Sequence, residues 1–242
     1  MNAQLKLIQA QCPSWATVAL TKGALEVVAR VVLPSGRPDV GVTLQVTAPH
    51  GRISVKERPP RRWPIGCPER HINRNGTFCL GVGDPIEPDT KADADDWWYW
   101  LSEFILSQRV ADESGIWPNT RSLHHGDAYK HQKKMEDLAE GSPFQSEVTD
   151  ALEGGDGWLA GEIPRLSKDG KRLVNLRAPC PRGCLRRKHP ILRRKCKQKF
   201  LIYELIKHEH LRREEESKFW AEFEGRPCCE TMKQCPLRTG GG

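Results

Sequence analysis

No stretch of the 242-residue chain stays apolar for long. The most hydrophobic segment, residues 24–33, is interrupted by Glu26 and Arg30, and a membrane-spanning helix needs about 20 apolar residues in a row. No membrane span is expected. The first ten residues hold one lysine, Lys6, and lack an apolar core leading to small residues at a cleavage point, so no secretory signal is expected either. Both absences point to the cytoplasm, where disulfides rarely persist. A hydrophobic content of 38% and a mean hydropathy of −0.61 suit a soluble chain with exposed charge, and the length suits one large or two small domains.

Cysteine, by contrast, is abundant. There are nine, an odd number that leaves one over in any disulfide framework. Six lie after residue 179: Cys180, Cys184, Cys196, Cys228, Cys229 and Cys235. In a reducing compartment that clustering points to metal, while Cys12, Cys67 and Cys79 stand apart as separate thiols. The net charge of +7 is also uneven, with Arg182, Arg186, Arg187, Lys188, Arg193, Arg194, Lys195, Lys197 and Lys199 crowded into one segment.

Taken in order, residues 3–10 carry Leu5, Leu7, Ile8 and Ala10 and predict a short helix ended by Pro13. Residues 25–33 are β-branched and bounded by Gly23 and Pro34-Ser35-Gly36, which predicts a strand. Residues 40–47 alternate apolar and polar up to Pro49 and predict a second, antiparallel to the first across a short connection. Residues 53–56 predict a third, stopped by Pro59-Pro60. The acidic stretch 85–96 predicts an exposed connection whose last residues, Asp95 and Asp96, cap the next helix. From Trp97 the period becomes helical, through Trp98, Leu101, Phe104, Ile105 and Gln108, for about three turns. Residues 127–139 predict another helix with Tyr129, Met135 and Leu138 inward.

Between strands and helices lies the stretch from His71 to Asp84. Asn75-Gly76 supplies the positive-φ positions of a tight turn. Cys79 follows three residues later, and Gly81 and Gly83 after it leave the sulfur open to a large partner. A buried structural cysteine is the bland alternative. Cys67, in the Gly66-Cys67-Pro68 turn, is a second candidate for the reactive thiol, and Cys12 and Trp15 read as packing residues.

A meander of antiparallel strands, a Pro-Pro passage, an Asn-Gly turn before a Cys-Leu pair, a Trp-led helix and then a Tyr-Lys helix together resemble the ubiquitin-conjugating enzyme (UBC) fold over roughly residues 20–140. The residues carrying the resemblance are Asn73, Asn75, Gly76, Phe78, Cys79 and Leu80, with residues 97–108 and Tyr129-Lys130 after them. The resemblance implies that Cys79 accepts a modifier as a thioester. The family's His-Pro-Asn triplet, whose Asn helps stabilise the oxyanion, is missing: His71 stands at the Asn position, preceded by Glu69-Arg70. His71 or Asn73 is left to supply the oxyanion donor, and Asp84, Asp112 or Glu113 to align an incoming amine. This departure resembles the stripped-down conjugating enzymes of bacterial ubiquitin-like conjugation operons, and with them a role in antiphage defence.

Exchange of one thioester for another is nearly isoenergetic, so Cys79 needs access and alignment more than a strong base. Even an unperturbed thiol, with pKa near ~8.5, is a few per cent thiolate at neutral pH. Discharge onto a lysine needs more, and one oxyanion donor is typically worth ~3 kcal/mol.

Past Gly141 the character shifts, with a flexible stretch at Glu153-Gly154-Gly155-Asp156-Gly157. Cys180 and Cys184 have knuckle-like spacing, and the cluster from Cys228 to Cys235 would close the same zinc site from the far end of a helix marked by Phe200, Leu201, Leu205, Ile206, Phe219, Trp220 and Phe223. His189, His208 and His210 are alternative ligands, and an iron–sulfur cluster or plain reduced thiols are alternative fates. The basic run lacks interleaved aromatics and finger spacing, which favours an acidic protein partner over nucleic acid. The terminal Gly240-Gly241-Gly242 is similar to the tail of a ubiquitin-like modifier, though the cysteine-rich, helical segment before it favours a disordered glycine end.

The expectation is thus an α+β chain: a UBC-like antiparallel meander with packed helices over 1–145, a linker over 146–165, and a helical, zinc-binding cysteine-rich basic extension over 166–242. Its expected function is that of a ubiquitin-like-protein conjugating enzyme, with an activating enzyme, a modifier and a protein target as partners. The alternative is a non-catalytic zinc-binding adaptor or nucleic-acid-binding module on a UBC-like scaffold.

Overall fold

The structure, a computed structural model, describes residues 2–32, 36, 41–80, 87–118 and 124–238. They fall into two compact units, Met1–Arg121 with Gly225–Gly242, and Ser122–Glu224. The first unit opens with α1 (Ala3–Ala10), capped by the Asn2 side chain accepting from Gln4 N–H. An antiparallel meander comes next, β1 (Ala16–Thr21), β2 (Ala24–Ala29), β3 (Val42–Thr47) and β4 (Ser54–Glu57), in spatial order 1-2-3-4.

The sheet thus has four strands where the sequence predicted three. β1 pairs with β2 from Ala16↔Ala29 to Thr21↔Ala24, across a two-residue loop in which Lys22 and Gly23 both take positive φ. That is the backbone twist a tight hairpin requires. The expected strand over 25–33 stops at Ala29, and part of its far end lies outside the described residues. Alternation does the rest: Leu25, Val27, Leu44, Val46 and Val55 turn to one face and are buried. Each such side chain contributes roughly 1.5–3 kcal/mol by leaving water.

Helix α2 (Lys91–Ser114) covers that face. It starts six residues before the predicted Trp97 and runs well past the predicted three turns. The signal passed over is Thr90-x-x-Asp93, which forms a reciprocal capping box; the first turn is polar, so apolar periodicity does not reveal it. Ala94, Trp97, Trp98, Leu101, Phe104, Ile105, Gln108 and Ala111 form the inward stripe. The Trp98 indole N–H donates to Ile8 O at 2.9 Å, tying α1 to α2.

The second unit is built on α3 (Ala128–Ala139), α4 (Gln145–Leu152) and α5 (Lys199–Ala221), with a small hairpin of β5 (Leu185–Arg186) and β6 (His189–Pro190). α3, counted by the sequence within the UBC-like stretch, packs on α5 here. Residues 146–165, expected as linker, hold α4 and the buried Leu159 and Ile163. On α5 the inward residues are Ile202, Leu205, Ile206, Glu209 and Arg212, whereas Phe200, one of the residues marking the helical period, is exposed. No helix among the described residues is long and apolar enough to cross a membrane.

Candidate functional site

Phe78 fixes the cysteine loop. Its N–H donates to Val55 O at 2.8 Å, continuing the sheet beyond β4, and single bridges pair Lys56 with Thr77 and Ile72 with Phe78. Its ring stacks on Phe104 of α2 at 4.5 Å and meets Trp63 edge-on at 5.7 Å. With Phe78 committed to the core, period-two geometry turns the next side chain outward, and Cys79 is exposed. The Cys79 N–H donates to His71 O at 2.8 Å, so the thiol-bearing residue is held at its backbone.

The predicted turn forms, with Gly76 but not Asn75 at positive φ. Asn73 N–H donates to Thr77 O at 2.8 Å, Gly76 N–H to Asn73 O at 2.8 Å, and Gly76 has φ +78°. Asn75 Oδ1 accepts from Thr77 N–H and hydroxyl at 3.1 and 2.7 Å. The Asn73 amide donates to Thr77 Oγ1 at 3.0 Å, inside the turn. His71 sits in the left-handed region, φ 53° and ψ 38°, at the end of a short turn over Pro68–Arg70. Its ring lies 4.8 Å from the Trp117 indole, whose buried N–H has no acceptor among the described residues. Asp84 lies outside the described residues.

Asp112 is not in a connection after the Trp helix but within α2, and it serves as an anchor. Its carboxylate accepts from Arg70 Nη1 at 2.7 Å, Arg62 Nε at 3.2 Å and the Trp63 indole at 3.4 Å. Arg70 is buried, and its carbonyl accepts from Gln108 Nε2 at 2.6 Å. The segment leading into His71 is thereby pinned to α2.

Cys67, which the sequence placed on an exposed turn, is 1% exposed. Its Sγ stands 2.8 Å from Cys229 Sγ, a pairing across 162 residues that local sequence spacing does not show. Cys228 and Cys235 are neighbours in the same first unit. Contact with Cys229, together with burial, raises the Cys67 thiol far above its usual range, while contact with Cys67 and Thr231 lowers Cys229 to about 5. Cys12 packs half-buried with its thiol on Ala16 O at 3.3 Å.

Cys180, Cys184 and Cys196 come together in the second unit, where burial and mutual proximity push Cys184 and Cys196 up. The Cys180–Cys184 loop turns at Gly183 (φ +71°), whose N–H donates to Cys180 O at 3.0 Å. The six C-terminal cysteines are therefore divided, three to each unit. Of the alternative ligands, His208 Nδ1 lies 3.1 Å from His131 Nδ1, His210 Nε2 meets Pro164 O at 2.9 Å, and His189 is on exposed β6. Among the described residues no group of three or more His, Cys, Asp or Glu side chains is placed so that it could hold a metal ion.

The basic run is partly internal. Arg182 bonds Glu147 at 2.5 Å and covers the Phe144 ring at 4.6 Å, while Arg193 donates to Val174 O and Pro179 O.

Compared with known families, residues 15–119 match the prokaryotic E2 domain, and residues 124–237 match the cysteine-rich domain found C-terminal to the E2 domain. No curated protein and no solved structure matches the chain.

Proposed function

The chain is a prokaryotic E2 domain followed by a C-terminal cysteine-rich domain, and we propose that it takes a ubiquitin-like modifier as a thioester on Cys79 and passes it to a target lysine. A conjugating role, with an activating enzyme and a modifier as partners, is what the E2 domain itself implies. The specific assignment to Cys79 is carried by one observation: it is exposed while its backbone is held by His71 O and its neighbour Phe78 is locked in the core.

In the loading step the Cys79 thiolate attacks the carbonyl of the modifier's thioester on the activating enzyme. A new C–S bond forms, the old one breaks, and the activating enzyme's thiolate leaves. In the discharge step a lysine amine attacks the Cys79 thioester, a C–N bond forms as the C–S bond breaks, the amine's proton passes to solvent, and Cys79 departs as thiolate. His71 takes the place from which the oxyanion is steadied, backed by Trp117, since the Asn73 amide is used within its own turn. In the cysteine-rich domain, Cys180, Cys184 and Cys196 would supply three thiolates to a structural zinc.

The test is incubation with an activating enzyme, its modifier and ATP. The expected product is an adduct that a reductant cleaves, absent in Cys79→Ala, and converted in Cys79→Ser to an ester that the reductant leaves intact. An adduct that survives Cys79→Ala overturns the assignment. His71→Ala is expected to load normally and to discharge onto free lysine at least about tenfold more slowly.

A further inference from the structure

We infer that Cys67, Cys228, Cys229 and Cys235 bind one zinc ion as four thiolates, fastening the C-terminal segment to the loop that leads into Cys79. The ligand set draws on a residue of the E2 domain itself, and it stands apart from the zinc assigned to Cys180, Cys184 and Cys196. It does not rest on the conjugating role of Cys79.

Two observations carry the inference. The first is convergence. Cys67 Sγ and Cys229 Sγ are 2.8 Å apart, and Cys228 and Cys235 are neighbours of that pair. Cys67 and Cys235 are buried, and Cys228 and Cys229 pack against the same core.

The second is the pair of donors at these sulfurs. Glu230 N–H donates to Cys228 Sγ at 3.3 Å, and the Thr231 hydroxyl lies 3.2 Å from Cys229 Sγ. A thiol is a weak acceptor and a thiolate a strong one, so donors aimed at these sulfurs are arranged for charge that the free thiols do not carry. Glu230 takes φ 60° to make its approach. The Arg70 guanidinium lies beside Cys229 and donates to Thr231 Oγ1 at 2.8 Å, adding a cation next to the set.

Zinc asks for a modest rearrangement. With Zn–S bonds of about 2.3 Å, tetrahedral sulfurs stand about 3.8 Å apart, so Cys67 and Cys229 must separate by about 1 Å. Binding forms four Zn–S bonds and releases the thiol protons to solvent. The same ion would then tie together Cys67, four residues before His71, and the segment whose Lys233 N–H donates to Gly115 O at 2.7 Å.

Native mass spectrometry of the full chain, purified with reductant and zinc, counts the ions. Cys67→Ser and Cys235→Ser are each expected to lose one zinc relative to the unsubstituted chain, and the double variant is expected to lose one, not two, because both residues serve one ion. A zinc count unchanged by Cys67→Ser overturns the inference. A second measurement avoids any variant that fails to fold: thiol alkylation of the unsubstituted chain, followed by peptide mapping, with and without chelator. Cys67 is expected to react at least about tenfold faster once zinc is removed. Equal rates overturn the inference, and so does a Cys67–Cys229 or Cys228–Cys235 disulfide in the zinc-loaded protein.

Discussion

Glu57, at the end of β4 in the first unit, and Glu209, in the middle of α5 in the second, are both buried, at 5% and 0% exposure. Glu57 takes its hydrogen bonds from the backbone N–H groups of Arg62 and Trp63, at 2.7 and 3.1 Å. Glu209 meets guanidinium instead: Arg212 grips both its oxygens at 2.6 Å, and Arg213 Nε adds a third bond at 2.6 Å. The other arms of Arg213 then reach the carbonyls of Leu159, Ala160 and Gly161.

The difference stems from how each unit handles its backbone. In the first, a four-stranded ladder pairs most carbonyls, so a buried carboxylate can be served by the turn after the sheet. In the second, the long passage between α4 and α5 has one two-residue hairpin, and its carbonyls need donors from elsewhere. Arginine supplies them, as Arg193 also does for Val174 and Pro179. Part of the net charge of +7 is therefore internal architecture, which weakens any inference from bulk charge to a nucleic-acid partner.

The largest effect expected from this contrast is at Glu209. Glu209→Ala strands a buried Arg212 without its carboxylate, and breaking such a pair costs about 3–5 kcal/mol. Denaturant unfolding of the full chain measures it. A loss below about 1 kcal/mol would show that the arginines are sufficiently held by their other partners, the His124 ring for Arg212 and the carbonyls for Arg213, and the contrast with the first unit would collapse.

A smaller effect, visible only through pH, is expected at Glu57. Burial is the leading cause that lifts its carboxyl from 4.5 to about 7, against the pull of the Trp63 N–H and of Arg61. A raised folded-state value means that its contribution is fully present below the unfolded value near 4.5 and is lost as pH rises through about 7. The full swing is about 3 kcal/mol. Stability measured across pH 4–8 is expected to fall more steeply in the unsubstituted chain than in Glu57→Gln. Parallel curves would place the raised carboxyl elsewhere.

Legibility in the sequence divides along the same line. The first helix, three of the four strands and the helical period from Trp97 are local patterns, and so is the Asn75-Gly76 turn that presents Cys79; each is visible within a dozen residues. β1 was missed because Ala16-Thr17-Val18-Ala19 alternates weakly and its Lys22-Gly23 loop lacks the usual Asn. Cys67 was misplaced because its partner is 162 residues away. Glu209, in His208-Glu209-His210, reads as one more solvated charge on a charged helix, and nothing local marks it as buried.

The smallest effect concerns how helices begin. α2 starts with Thr90, whose hydroxyl accepts from Asp93 N–H while the Asp93 carboxylate accepts from Thr90 N–H. α3, α4 and α5 come after Asp127, Phe144 and Gln198, none of which makes a side-chain cap bond. Thr90→Ala removes a made bond and is expected to cost about 1 kcal/mol. Gln198→Ala removes none and is expected to stay within about 0.5 kcal/mol, as surface changes usually do. The two substitutions, measured by denaturant unfolding on the same chain, test whether the first unit relies on local hydrogen bonds at its helix ends where the second relies on long-range packing. Equal costs would mean that α2 is held by its aromatic face alone, with the capping box adding nothing to Trp97, Trp98 and Leu101.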